Sequence, residues 1–176
     1  MAGPWRVRRF DGEVETPRLP GRGPRVVLDN IRSAFNVGSV FRTCDAAGVE
    51  HLYLCGISAC PPNPKLVKTA LGAEQTVPWS HHIRALEVLN GLRAEGYTLF
   101  AVERTDRSLP YTEVDYPERC VLIFGHEVAG VARPLLERAD QVIEIPMLGR
   151  KNSLNVATSA GVVLFELVRR RLAAQG

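Results

Sequence analysis

The sequence predicts an α/β fold with a mainly parallel sheet flanked by helices, and three observations carry that prediction. Short apolar runs rich in Val, Ile, Leu and aromatics alternate with longer amphipathic runs from residue 25 to residue 171. Glycines and capping residues fall where the runs change character. Strand and helix alternating over about 150 residues place helices between neighbouring strands, which makes those strands parallel.

Taken in order, Arg25 to Leu28 reads as the first buried strand and Asn36 to Ala47 as a helix ended at Gly48. His51 to Cys55 is the next strand, and Ile83 to Glu95 is a helix closed by Gly96. Thr98 to Val102, Cys120 to Phe124 and Val142 to Ile145 are three further strands, each short enough to be buried on both faces. The last helix runs from Asn155 to Arg171, with Val156, Ala160, Val163, Leu164, Leu167 and Val168 recurring every three or four residues as one apolar stripe. Asn155 is placed to cap it. His81 and His82 precede a helix and read as surface residues of its cap region.

Residues 1–24 differ from the rest. They form an arm rich in Arg, Pro and Gly, in which Pro17, Pro20 and Pro24 forbid a regular element late in the segment, after one short element near Trp5 to Phe10. Residues 25–176 form a single domain, and 45% hydrophobic residues in a chain of 176 supply one substantial core. The formal net charge of +3 is carried by the opening segment, where six arginines up to Arg25 face Asp11, Glu13 and Glu15. Lysine occurs only at Lys65, Lys68 and Lys151, and the preference for Arg leans toward phosphate and base contacts.

Cys44, Cys55, Cys60 and Cys120 show no metal-ligand spacing, so no metal site and no disulfide framework are indicated and a reducing cytoplasm is expected. No apolar run nears the roughly 18 residues a membrane span needs, and the Arg-rich start lacks the apolar stretch of a signal peptide. Its three carboxylates argue against an organelle transit segment. The phosphate-binding G-x-x-x-x-G-K-[ST] loop is absent, as is G-x-G-x-x-G after a strand, which disfavours NTPases and ordinary dinucleotide enzymes.

Ligands in open parallel sheets bind at the carboxyl ends of strands. Three of the loops there carry patterned residues. The first is Asp29-Asn30-Ile31-Arg32-Ser33-Ala34-Phe35-Asn36-Val37-Gly38, continuing to Arg42-Thr43-Cys44-Asp45. The second is Gly125-His126-Glu127-Val128-Ala129-Gly130, and the third is Ile145-Pro146-Met147-Leu148-Gly149 leading to Ser153-Leu154-Asn155-Val156. Together with Lys68-Thr69-Ala70-Leu71-Gly72-Ala73-Glu74 and Trp79, in this order, they resemble the motifs of the SpoU/TrmH family of RNA methyltransferases, within the SPOUT superfamily. The resemblance covers Arg25 to Arg171.

The resemblance implies a deep C-terminal trefoil knot, an exception to unknotted topology. It also implies an S-adenosylmethionine-dependent transfer of a methyl group to an RNA ribose 2′-hydroxyl by a homodimer. Gly125, Ile145, Met147 and Leu154 would line the cofactor, with Val102 and Glu103 closing the other side. Arg42 is the arginine to which the family's catalysis is assigned. Because a guanidinium does not readily give up its proton, Arg42 is read as binding the substrate phosphate and ribose and acidifying the hydroxyl. Asn36 would orient Arg42, while Glu127 and the turn Ser153 to Asn155 would hold the site. Arg32, Lys65, Lys68, Arg150 and Lys151 form a candidate RNA path.

His126 departs from the family's asparagine and is read as a hydrogen-bonding loop residue rather than a general base. The expected substrate is tRNA, with rRNA second. Two other readings are a non-catalytic RNA-binding or assembly factor that keeps the fold, against which stand Asn36, Arg42, Glu127, Ser153 and Asn155, and a small-molecule-binding α/β protein, which would leave four ordered motifs to chance.

Overall fold

Seven strands lie in one sheet, every neighbouring pair parallel, in a computed structural model that describes residues 21–174. Most of the basic arm, including the element predicted near Trp5 to Phe10, lies outside the described residues. The chain order is β1 (Arg25–Asp29), α1 (Ala34–Ala46), β2 (His51–Cys55), α2 (Pro64–Ala70), α3 (Ala73–Thr76), β3 (Trp79–His82), α4 (Ala85–Ala94), β4 (Thr98–Val102), β5 (Leu109–Pro110), β6 (Cys120–Phe124), α5 (Arg133–Arg138), β7 (Gln141–Glu144) and α6 (Val156–Ala173). Across the sheet the strands run β3-β2-β1-β6-β4-β7-β5, so β6 enters between β1 and β4.

The five predicted strands are all present. β3 corrects the expectation for His81 and His82, which lie in this edge strand instead of a helix cap. The imidazole of His82 shares a hydrogen bond with Ser80 Oγ at 2.8 Å, and that of His81 meets the Gly56 carbonyl at 3.0 Å. Four residues without an apolar run gave the sequence no strand signal, and α4 accordingly starts at Ala85 rather than Ile83.

Alternation along the strands divides the core into two layers. Val26 and Leu28 of β1, Leu52 and Leu54 of β2, Phe100 of β4, and Leu122 and Phe124 of β6 face α1, α2 and α6. Val27, Leu99, Ala101, Val121 and Ile123 face α4 and α5 on the opposite side. Burial on both faces explains why these strands read as continuous apolar runs. The stripe of α6 belongs to the first layer, with Ala160, Val163, Leu164 and Leu167 buried, whereas Phe165 on its other side is 48% exposed.

Caps set the helix starts. Ser33 Oγ accepts the Asn36 N–H at 3.3 Å for α1, and Asn63 Oδ1 accepts the Lys65 and Leu66 N–H groups for α2, where Pro64 occupies the first turn. Asn63-Pro64 is the sequence signal of this start. Gly48 and Gly96 have φ of 64° and 82°, the left-handed conformation expected of them. At the far end of α6 the Arg170 guanidinium donates to the carbonyls of Thr112 and Val114, and Arg171 donates to that of Glu118 at 2.9 Å, tying the helix to the segment before β6.

Gly38 lets α1 approach α2, since a Cβ there would collide with the Leu66 carbonyl and the Thr69 hydroxyl. Gly91 in α4 faces open space. Gly38→Ala is therefore expected to cost about 1–3 kcal/mol through overpacking, and Gly91→Ala to add about 0.5–1 kcal/mol through helix propensity, both measured by urea unfolding.

Candidate functional site

The loops after β4, β6 and β7 enclose a cleft of about 980 Å³, at the upper end of the range for small-molecule sites. Its position at the carboxyl ends of parallel strands follows from the topology. Glu103, Gly125, Ile145, Met147 and Leu154, the five residues expected around a cofactor, all line it, as do Val102, Glu127, Ser153 and Asn155. Gly125 is buried and admits no side chain, because a Cβ would run into the Gly130 carbonyl as the β6 loop folds back on itself.

Glu127 joins this loop to the first one. Its Oε2 accepts the Arg32 N–H at 2.9 Å, and its Oε1 accepts the Ser33 N–H at 3.0 Å and the Asn36 Nδ2–H at 2.9 Å. Partial burial pushes this carboxyl up, but those donors outweigh it and hold the pKa at about 2. Asn36 in turn accepts from Asn155 Nδ2 at 3.1 Å, and Asn155 Oδ1 caps α6 by accepting the Ala157 and Thr158 N–H groups. Four of the polar residues singled out from the sequence thus meet at one edge of the cleft: Glu127, Asn36 and Asn155 bonded in a chain, with Ser153 beside them on the lining.

Arg42 is elsewhere. It is exposed on α1 and lines a second, shallower cleft of about 510 Å³ with Ser39, Thr43, Lys68, Thr69, Leu71 and Phe165. Asn36, expected to orient Arg42, bonds Glu127 and Asn155 in this structure. Six residues along a helix place the two side chains on different faces. The candidate RNA-path residues are all exposed, but the structure does not gather them. Arg32 sits at the start of α1, Lys65 and Lys68 on α2, and Arg150 and Lys151 in the loop between the cleft-lining Met147 and Asn152.

His126 acts as the loop hydrogen-bonder expected of it. Its Nδ1 accepts the Val128 N–H at 3.0 Å and the Ala129 N–H at 3.3 Å. An asparagine Oδ1 is attached to the same γ-carbon, so the imidazole supplies the acceptor that an amide would supply. Glu103 lines the cleft, but its carboxylate is spent on the N–H groups of Arg104 and Val131, each at 2.9 Å. Glu144, also on the lining, accepts from Ser108 Oγ at 2.5 Å. Beneath the first loop Ser58 Oγ donates to the Leu28 carbonyl and accepts the Ile31 N–H, while burial raises the pKa of neighbouring Asp29.

Sequence reasoning missed Arg104, Asp106, Glu144, Asn152 and Ser159, all on the lining, and Ser58 below it. Arg104 and Asp106 lie in the loop after the predicted strand Thr98 to Val102, a position that points to a ligand, whereas Ser58 carries no sequence signal. Among the described residues no three His, Cys, Asp or Glu side chains are placed to hold a metal, and no helix is long and apolar enough to cross a membrane.

The model of a family described as the SpoU rRNA Methylase family matches residues 23–165. The chain belongs to that family. Among its relatives, the tRNA (guanosine(18)-2′-O)-methyltransferase of Thermus thermophilus is 35% identical over 96% of this chain and 84% of its own. The 23S rRNA (guanosine-2′-O-)-methyltransferase RlmB of Xanthomonas axonopodis pv. citri is 31% identical over 97% and 67%. Of solved structures, the TrmH/SpoU tRNA modifying enzyme of A. aeolicus superposes with a TM-score of 0.80 at 30% identity over 90% of this chain and 80% of that one. AviRb of Streptomyces viridochromogenes, a SpoU methyltransferase solved in complex with AdoMet, superposes with a TM-score of 0.79 at 29% identity over 89% and 61%, so this chain spans about three-fifths of that protein. The parallel α/β architecture of this SpoU family member is that of the SPOUT methyltransferases.

The bonds to Glu127 are strongest with its carboxylate ionised. With a folded pKa near 2 against about 4.5 unfolded, its contribution to stability is present above pH 5 and is lost as pH falls toward 2. Glu127→Gln should therefore be destabilised relative to wild type at pH 7, and the gap should narrow steadily in urea titrations from pH 5 down to pH 2.5. His126→Asn should match wild type in the same assay, while His126→Leu, with no acceptor for two N–H groups, should lose about 1–2 kcal/mol.

Proposed function

We propose that this chain is an S-adenosylmethionine-dependent RNA methyltransferase that modifies a ribose 2′-hydroxyl, acting on tRNA with rRNA as the second candidate. The observation that carries this reading is the single cleft where five cofactor-lining positions adjoin the Glu127–Asn36–Asn155 chain. The cleft suits the cofactor by its volume and by its lining. Glu103, Asp106, Glu127 and Glu144 outnumber Arg104, an environment favourable to a sulfonium cation, and backbone at Gly125, Ile145, Met147 and Leu154 offers donors and acceptors for a purine. When bound, S-adenosylmethionine supplies an electrophilic methyl group.

The chain's own residues do the rest by positioning. Glu127, ionised and fully engaged, fixes the β1 and β6 loops against each other, and Asn36 passes that constraint to the start of α6. Arg42 and Lys68, both on the second cleft, bind substrate phosphate, and Arg32, Lys65, Arg150 and Lys151 add exposed charge at separate points of the surface. We further propose a homodimer, supported by the exposed apolar residues Phe165 and Leu71 beside Arg42. The C-terminal trefoil knot and a cytoplasmic location rest on family membership.

Transfer of labelled methyl from S-adenosylmethionine to tRNA and, separately, to rRNA tests the activity. Wild type should give nuclease-resistant 2′-O-methylated dinucleotides from one of the two, and Arg42→Ala should lower the rate at least about a hundredfold with cofactor binding intact. A folded protein that does not bind the cofactor at all refutes the reading.

A further inference from the structure

Most charged groups on the cleft are already spent. Glu103 holds two backbone N–H groups, Glu127 holds the start of α1, and Glu144 holds Ser108. Two charges on the wall after β4 are different. Arg104 and Asp106 both line the cleft and are both exposed, and among the described residues neither side chain makes a hydrogen bond or an ion pair, even with the other. Arg104 is also the one Lys or Arg on the lining. Its backbone is anchored, because its N–H donates to Glu103 Oε1 at 2.9 Å, and Thr105 beside it is held by Ser108 Oγ at 3.0 Å.

Opposite charges two residues apart, unpaired and on an anchored stretch of backbone, suit a ligand that carries opposite charges on two groups attached to one carbon. An α-amino acid zwitterion has that form. We propose that Arg104 and Asp106 clamp the amino-acid end of the ligand in this cleft, the guanidinium taking its carboxylate and the Asp106 carboxylate its ammonium group. This assignment rests on the cofactor reading above, and it makes the two residues cofactor-binding residues that leave the reacting atoms untouched. Arg is suited to the role because its planar fork matches a carboxylate with two parallel hydrogen bonds.

Calorimetric titration with S-adenosylhomocysteine and with 5′-methylthioadenosine separates the two ends of the ligand, because the second lacks the amino-acid moiety. Arg104→Gln and Asp106→Asn should each weaken S-adenosylhomocysteine about tenfold to a hundredfold and leave methylthioadenosine within about twofold of wild type, which also shows that the variants fold. Equal losses for both ligands, or no loss for either, would overturn the clamp. So would an Arg104→Gln variant that binds S-adenosylhomocysteine normally but RNA weakly, since Arg104 would then face substrate phosphate. If wild type binds methylthioadenosine and S-adenosylhomocysteine equally, the amino-acid end is not held and the clamp fails while the cofactor reading stands; if it binds neither, the cofactor reading fails first.

Discussion

One carboxylate holds the site together. Glu127 comes from the loop after β6, yet its two oxygens accept the N–H groups of Arg32 and Ser33, at the entry to α1, and the amide of Asn36. Those backbone groups have no partner within the helix and carry its positive end, so a carboxylate there is favoured by hydrogen bonding and by charge alike. Asn36 then reaches Asn155, which caps α6. Three strand-end loops that are far apart in sequence are thereby fixed relative to each other by side chains that are bonded to one another.

The sheet makes that linkage possible. With β6 inserted between β1 and β4, the loops after β1 and β6 are neighbours, and those after β4 and β7 close the far side. The β6 loop must turn back sharply at once, and it does so through buried Gly125, the left-handed Gly130 and the His126 imidazole that accepts two N–H groups. The cost of such a tight loop is met locally, so that Glu127 emerges pointing at α1 instead of into solvent.

How much of this was legible depends on range. Strands buried on both faces announced themselves as apolar runs, and Asn155 and Gly96 marked helix ends, because those signals are set by near neighbours in the chain. β3 was illegible because an edge strand of Trp79-Ser80-His81-His82 is held by pairing with β2 and shows no pattern of its own. The cleft residues came through motif order, which fixed identities but not distances. Hence Asn36 and Arg42, both placed in one site by sequence, separate in the structure: helical geometry turns them to different faces, and only the three-dimensional partner of Asn36 decides which face belongs to the cleft.

The same geometry constrains the chemistry. A ribose hydroxyl must shed a proton to attack a methyl group, and a good base should titrate near the working pH. Glu127 is ionised, but a group held near pKa 2 has almost no driving force to take a proton, and taking one would weaken the hydrogen bonds that hold the loops together. Asn36 and Asn155 cannot accept it, and a guanidinium arrives already protonated. The Nδ1 lone pair of His126 is occupied by two backbone N–H groups, so that nitrogen is not free to take a proton from substrate. None of the groups gathered at the cleft edge is built as a base. Under the proposed reaction the proton passes to solvent or to a substrate phosphate, and the protein's contribution is to hold hydroxyl and methyl in line, an effect that by itself is worth about 7–11 kcal/mol of barrier when the alignment is good. A network of mutually bonded side chains is what such a task requires, because its value lies in not moving.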